Sequence, residues 1–462
     1  MPRPGGLFFV FPPTAPAGAS TDTLRSTYRT TGDGRPQTSM KPQRNHRTPR
    51  VSPSSVRSSR PARLARPARP AKARSSLSYR IRLPRRAAIT LLALLPGAGS
   101  AFDPSGTPTA EETASFDALW KAFTLYKDDA NPILQEFKLR GRYQGQYHWV
   151  DSDQGDADAW EDRRARLGFD AKLFSKQVEV RVDFQSNDGI EDAYDRLVDA
   201  YVKWKPDENL AITFGRTKPL IGHYDWLEST NSQPTFERSQ IFNQLRVDRA
   251  TALTVEGKAG NFTWQAGGYS NDTDREFGKF GGAFSYGAGI GYDAKESFGW
   301  TRADFRLDWL HSDHDADDQV LDRYDDIVSA TFHAQDGPSG FVAEAFHASG
   351  GGGRDEDVFG FFLQPTCDLV PKRVQLVGRY SFATGDGIDS VRRQTRYESE
   401  APALTGGGRG DEYHALYLGA QYFIHGDKLK LLAGAEYATL DGGANGGDYG
   451  GLTWLSGIRF SF

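Results

Sequence analysis

Charged residues stand at every second position in several stretches of this 462-residue chain. Lys138, Arg140 and Arg142 alternate with Phe137, Leu139, Gly141 and Tyr143, and Glu179, Arg181 and Asp183 alternate with Val178, Val180 and Val182. Arg302, Asp304, Arg306 and Asp308 alternate in the same way with Ala303, Phe305, Leu307 and Trp309. A period of two puts all the charges of one stretch on one face of a strand. Guanidinium groups gathered on such a face can grip phosphate or carboxylate through paired N–H donors. A run of opposite charges, as in Arg302 to Asp308, can equally satisfy itself.

Other chemistry is sparse. His311, Asp313, His314, Asp315, Asp317 and Asp318 form the densest cluster of imidazole and carboxylate, groups that ligate divalent cations. They match no recognised metal-binding loop, so the expectation is an acidic surface loop, with no metal or other cofactor and only His311 and His314 as metal candidates. The single cysteine, Cys367, excludes an intrachain disulfide and every Cys-rich zinc pattern. No nucleophile elbow, zinc-protease helix or phosphate-binding loop occurs. No catalytic residue is assigned, and the chain is not expected to be an enzyme.

The elements that carry the alternating charges must be strands of about 10 residues, the length of a tilted strand crossing a hydrocarbon layer. Their connections alternate in length. Long acidic or Gly-rich loops are expected at 151–159, 217–248, 271–281, 311–326, 350–357, 384–411 and 441–450, with tight connections at 174–176, 206–208, 259–261, 293–297, 336–340, 368–371 and 425–427. Short turns on one side and long loops on the other characterise outer-membrane barrels, whose short turns face the periplasm. The fold expected is all-β, a transmembrane antiparallel up-and-down barrel of about 16 strands, an even number that leaves no open edge in lipid. Before it, Phe116, Leu119, Trp120 and Phe123 fall on one helical face behind Ser115 as the expected cap, one short N-terminal helix.

Taking the polar parity of each strand as inward assigns Lys138, Arg140, Arg142, Arg164, Arg166, Lys172, Arg181, Lys203, Lys258, Arg302, Arg306, Arg379, Lys430 and Arg459 to the lumen. The opposing acids are Asp162, Asp170, Glu179, Asp183, Asp199, Glu256, Asp304, Asp308 and Glu436. A lumen with this modest excess of bases would favour anions.

Charge also divides the chain. Residues 1–101 hold 19 of the 56 Lys and Arg and two of the 60 acids, leaving 37 bases against 58 acids beyond Ala101. Within the basic part, Arg80, Arg82, Arg85 and Arg86 precede an apolar run at 87–95, then Pro96 and the small residues Gly99, Ser100 and Ala101, the order of a secretory signal cut after Ala101. Residues 1–79 are rich in Arg, Pro and Ser and cannot bury a core. They are read as a disordered extension from a misplaced start rather than a nucleic-acid-binding arm. The expected organisation is therefore the extension at 1–79, a signal peptide at 80–101, a periplasmic segment with a short helix at 102–131 and the barrel at 132–462. Export would bring the chain to the bacterial outer membrane.

The final strand carries Leu452, Trp454, Ile458, Phe460 and Phe462 on its outer parity, an aromatic ending that resembles the signal read by outer-membrane assembly machinery in barrel families. Gly215, Arg216, Lys218 and Pro219, followed by Phe236, Glu237, Arg238 and Ser239 and later by Gln375, Leu376, Val377, Gly378, Arg379 and Tyr380, make residues 131–462 similar to the phosphate-selective porin O and P family. The resemblance implies a sixteen-stranded, homotrimeric barrel whose third long loop folds into the lumen, with Lys218, Arg238 and Arg246 as basic groups on or near that constriction loop. It implies passive diffusion of small hydrophilic solutes with a preference for anions such as phosphate. The partners expected are outer-membrane lipid, small anionic or neutral solutes, further copies of the chain and the assembly machinery, with no nucleic acid. Two rival readings are a non-selective or weakly cation-leaning general porin and a secreted β-rich surface binding or adhesion module.

Overall fold

The computed structural model describes residues 106–271, 276–277, 284–313, 323–350, 355–394, 397, 408–442 and 448–462. The extension, the expected signal segment and His314, Asp315, Asp317 and Asp318 lie outside the described residues.

The described residues open with α1 (Ala110–Lys121) and β1 (Thr124–Lys127), and then run through β2 (Leu134–Ser152), β3 (Gly155–Leu173), β4 (Val178–Gln185), β5 (Arg196–Asp207) and β6 (Leu210–Thr217). After a long loop holding α2 (Gln240–Leu245) come β7 (Ala250–Ala259), β8 (Phe262–Ser270), β9 (Phe284–Asp293), β10 (Arg302–Ser312), β11 (Asp326–Asp336) and β12 (Ser339–Ser349). The rest are β13 (Val358–Val370), β14 (Val374–Gly385), the two-residue β15 (Val391–Arg392), β16 (Arg409–His425), β17 (Leu429–Gly442) and β18 (Tyr449–Ser461). β2 to β14 and β16 to β18 form a closed antiparallel barrel of 16 strands, each paired with its neighbour and β18 returning to β2.

The outer face decides what kind of barrel this is. Leu139, Phe214, Leu253, Ile290, Leu307 and Leu418 leave between 38 % and 61 % of their surface bare on the outside. A soluble sheet would bury side chains of this size, whereas a lipid-facing wall displays them. The residues between them turn inward, as the alternation predicts.

Three local features differ from the sequence expectation. The loop expected at 151–159 is a two-residue turn, Asp153 and Gln154, between strands of 19 residues. The acids there alternate with Val150, Ala157 and Ala159, so they extend the hairpin, and the turn is tied back by Gly450 N–H donating to Asp153 at 3.1 Å. β3 carries a bulge, where the pairing steps from Gln144↔Arg164 to Gln146↔Glu161. One extra residue reverses strand parity beyond it. Asp162 therefore lies outside, accepting from Tyr143 at 2.6 Å and from the Trp160 indole at 3.1 Å, while Arg163 turns inward. Helix α1 begins earlier than expected: Thr109 is the cap, accepting the Glu112 N–H at 3.1 Å, and Ser115 donates to the Glu111 carbonyl one turn back.

The N-terminal segment closes the seam where the first and last barrel strands meet. β18 covers β2 only from Arg142 onward, and β1 pairs with β2 at Glu136, Phe137 and Lys138, the stretch β18 leaves open. Phe123 stacks on Phe462 at 3.7 Å between centroids, and the Trp120 indole donates to the Ser461 carbonyl at 2.7 Å. Trp120 packs with Ile424 and Leu429. Arg373, fully buried, binds Glu112 at 2.7 Å and locks α1 to the short-turn end of the barrel.

Candidate functional site

The loop between β6 and β7 folds into the barrel because one side of it is apolar. Leu220, Ile221, Tyr224, Trp226, Ile241, Phe242 and Leu245 pack against Leu310, Ile327, Val342, Phe346, Val358 and Phe362, inward residues of β10 to β13. Polar anchors fix its course. Glu344 on β12 accepts the backbone N–H groups of Tyr224 at 2.9 Å and Asp225 at 2.8 Å, and the Thr331 hydroxyl at 2.6 Å. The Arg459 guanidinium donates to four loop carbonyls, those of Thr230, Gln233, Thr235 and Phe236, at 2.6 to 3.0 Å. Arg379 donates to Thr235 at 3.1 Å and to the Glu237 carbonyl at 2.7 Å, and faces Glu436 at 3.3 Å. Inside the loop, Asp225 accepts both the N–H and the hydroxyl of Ser239, the cap of α2.

With the loop held against β10 to β18, the open path is displaced toward β2 to β9. On the short-turn side lies a cavity of 1140 Å³ whose lining holds eleven bases and eight acids. On the long-loop side lies a smaller one of 210 Å³, lined by nine bases, Arg142, Arg163, Arg164, Arg166, Arg196, Arg216, Lys218, Arg238 and Arg249, and by one acid, Asp248. Arg142, Arg166, Lys218 and Arg249 line both cavities and so stand at the passage between them.

The bases of the two regions differ in how they are satisfied. In the larger cavity Arg140 binds Asp170 at 2.8 Å and Asp183 at 3.2 Å, Arg181 binds Asp170 at 2.7 Å, and Arg306 binds Asp308 at 2.8 Å. Arg302 pairs with Asp304 and reaches Glu228 of the loop at 3.7 Å. The charges of the run from Arg302 to Asp308 thus pair along one strand. In the smaller cavity six cations meet no carboxylate among the described residues, one of them Arg216, which donates to the carbonyls of Leu197 and Glu276 at 3.1 Å. Arg142 donates to the hydroxyls of Thr230 and Ser229, Arg164 to Gln144, Arg166 to Gln185, Arg238 to the Asp225 carbonyl, and Lys218 to the carbonyls of Trp226, Leu227 and Glu228. Burial, followed by Arg238 and Arg249 nearby, holds the Lys218 ammonium well below its usual range. Trp226 gathers these charges: Lys218 Nζ, Arg238 Cζ and Arg249 Cζ stand 5.0, 4.8 and 5.4 Å from its ring centroid.

Among the residues singled out from sequence, Arg142, Arg164, Arg166, Lys218 and Arg238 meet in the smaller cavity, and Arg140, Arg181 and Arg306 line the larger. Arg379 is buried as a fastening of the loop, and Arg246 stands exposed at the end of α2 with φ 52°. His311 contacts Asp326 at 3.1 Å and Asp313 at 3.6 Å, and no group of three metal-ligating side chains occurs among the described residues. Sequence parity missed Arg163, which the bulge turns inward to Glu237 at 2.6 Å, and it missed Arg249, paired with Asp199 at 2.7 Å. Arg249 carries the outward parity of β7, whose inward residues are Ala250, Ala252 and Thr254, so strand alternation gives no signal for it; it reaches the lumen because it belongs to the loop and not to the strand.

Residues 137–297 match the family model for phosphate-selective porin O and P. The comparison with curated proteins gave no match. Among solved structures, the high-pH form of Pseudomonas putida OprB is similar at 15% identity and TM-score 0.51, covering 71% of this chain and 94% of its own. Salmonella typhi OmpF in complex with daunomycin is similar at 13% identity and TM-score 0.51, covering 73% and 100%. The anion-selective porin from Comamonas acidovorans is similar at 12% identity and TM-score 0.49, covering 71% and 99%. At these identities the likeness to the first two is one of fold alone. The family match joined to a closed, lipid-faced barrel with a loop in its lumen supports an outer-membrane porin, similar over residues 137–297 to the phosphate-selective porin O and P family.

Proposed function

We propose that this porin lets small hydrophilic solutes diffuse passively with a preference for anions, phosphate among them. The observation that carries this reading is the 210 Å³ cavity lined by nine bases and one acid. A narrow passage with low-dielectric walls focuses the potential of such a ring and raises the local concentration of the opposite charge. Arg142, Arg164, Arg166, Lys218 and Arg238 are the groups assigned to draw the anion in. Arg140, Arg181, Arg302 and Arg306, already paired, shape the path on the other side of the loop.

A second reading, a general porin of weak selectivity, is favoured by the eleven bases and eight acids of the larger cavity, since close opposite charges cancel. In both readings residues 80–101 serve export, the short turns face the periplasm, the chain assembles as a homotrimer and acts without a catalytic step. Phe462 ends the strand offered to the assembly machinery.

Proteoliposomes holding the mature protein from Phe102 onward test the passive pore. Swelling in a small neutral sugar, faster than in protein-free vesicles, is expected. Folded protein that gives no swelling would overturn the porin reading in favour of a surface binding module.

A further inference from the structure

The smaller cavity is made almost wholly of donors. Its side-chain acceptors are few: the one carboxylate, Asp248, is exposed and accepts the Arg249 backbone N–H through Oδ1 at 2.7 Å, the Thr230 hydroxyl takes Arg142 at 3.1 Å, and Gln185 takes Arg166 at 2.9 Å. One further donor stands idle. Trp226 is 5 % exposed, lines this cavity, and its indole N–H finds no acceptor among the described residues. No other residue lining the cavity has such an orphaned buried atom. A buried donor without a partner costs free energy, and a ligand that accepts from it removes the cost.

Surroundings so rich in donors and poor in acceptors distinguish among oxyanions of equal charge. Hydrogen phosphate carries a hydroxyl whose hydrogen needs an acceptor, whereas sulfate and carboxylates present acceptors alone. We propose that this cavity is a subsite for acceptor-only oxyanions, favouring sulfate over hydrogen phosphate, and that the Trp226 indole N–H is one of its donors. The proposal rests on the anion preference stated above and names the class of anion that binds best. Trp226 has a second role as a positioning residue, since its ring face holds Lys218, Arg238 and Arg249 together.

The test is block of chloride current in planar bilayers by sulfate and by phosphate, at a pH where hydrogen phosphate and sulfate carry the same charge. Wild-type protein and Trp226→Phe are compared; the variant keeps an aromatic face and removes the N–H. Sulfate is expected to block at about one tenth the concentration that phosphate needs, the size of one unmet hydrogen bond. Trp226→Phe is expected to weaken sulfate block several-fold, read against the variant's own current in potassium chloride alone. Phosphate block equal to or stronger than sulfate block would overturn the proposal. Unchanged sulfate block in Trp226→Phe would remove Trp226 from the site. A wild-type channel with no anion preference in potassium chloride alone would be a failure of the underlying function, read before either oxyanion is added.

Discussion

Glu344 Oε2 accepts the backbone N–H of Asp225 at 2.8 Å, so a carboxylate of the barrel wall carries the inner bend of the constriction loop. Its other oxygen takes Tyr224, and Gln364 donates to the Tyr224 hydroxyl at 2.6 Å. Glu344→Ala leaves two buried N–H groups unmet, a cost of about 1–3 kcal/mol each. The loop is expected to detach, giving single-channel currents that are larger and noisier at the same voltage. A variant with wild-type conductance and noise would mean that the apolar packing alone holds the bend.

A second relationship governs closure. A Cβ on Gly141 would stand 2.1 Å from the Phe462 ring, so only glycine admits the C-terminal aromatic at the seam. Gly141→Ala is expected to reduce the folded, heat-modifiable species in electrophoresis, and Phe462→Ala in that background to restore part of it. Equal losses in the single and the double variant would place the fault elsewhere.

Removing a pair that satisfies itself should do little to selectivity. Arg306 and Asp308 bind at 2.8 Å with both side chains largely buried. Arg306→Gln combined with Asp308→Asn is expected to leave the reversal potential in a potassium chloride gradient within experimental scatter. A marked loss of anion preference would show that Arg306 acts on the permeant ion.

Lys218 makes the selectivity pH-dependent. Burial and the neighbouring guanidinium groups lower its pKa, so it loses its proton as pH rises before an ordinary lysine would at about 10.4. Anion preference should rise on acidification and fall on alkalinisation within that window. Lys218→Met should flatten the profile, as read from reversal potentials across pH. A profile of the same amplitude in the variant would assign the titration to another group.

Much of this arrangement was legible in the sequence because a strand's two faces meet different solvents. The alternation at Phe137 to Tyr143 and at Arg302 to Trp309 locates both walls of the barrel, and the tight connections fall where the turns are. The β3 bulge was not legible: an inserted residue leaves composition unchanged, and Asp162 and Arg163 are both charged, so either could face the lumen. Eighteen residues lie between Trp226 and Leu245, yet both belong to one cluster against the barrel wall, which no local pattern reports. Arg379 and Arg459 illustrate the same limit. Their parity is inward as expected, but their donors are spent on loop carbonyls, a role fixed by the loop's path and not by the residue type.

The central claim is that unpaired bases of the smaller cavity set anion preference. It is tested most directly by the zero-current potential across a planar bilayer in a potassium chloride gradient, comparing wild type with Arg142→Gln, Arg164→Gln and Arg166→Gln combined. The account predicts an anion-selective potential for wild type that moves toward zero or changes sign in the triple variant, while both still conduct. A wild-type potential at or on the cation side of zero, or the same anion-selective potential in both proteins, would contradict it.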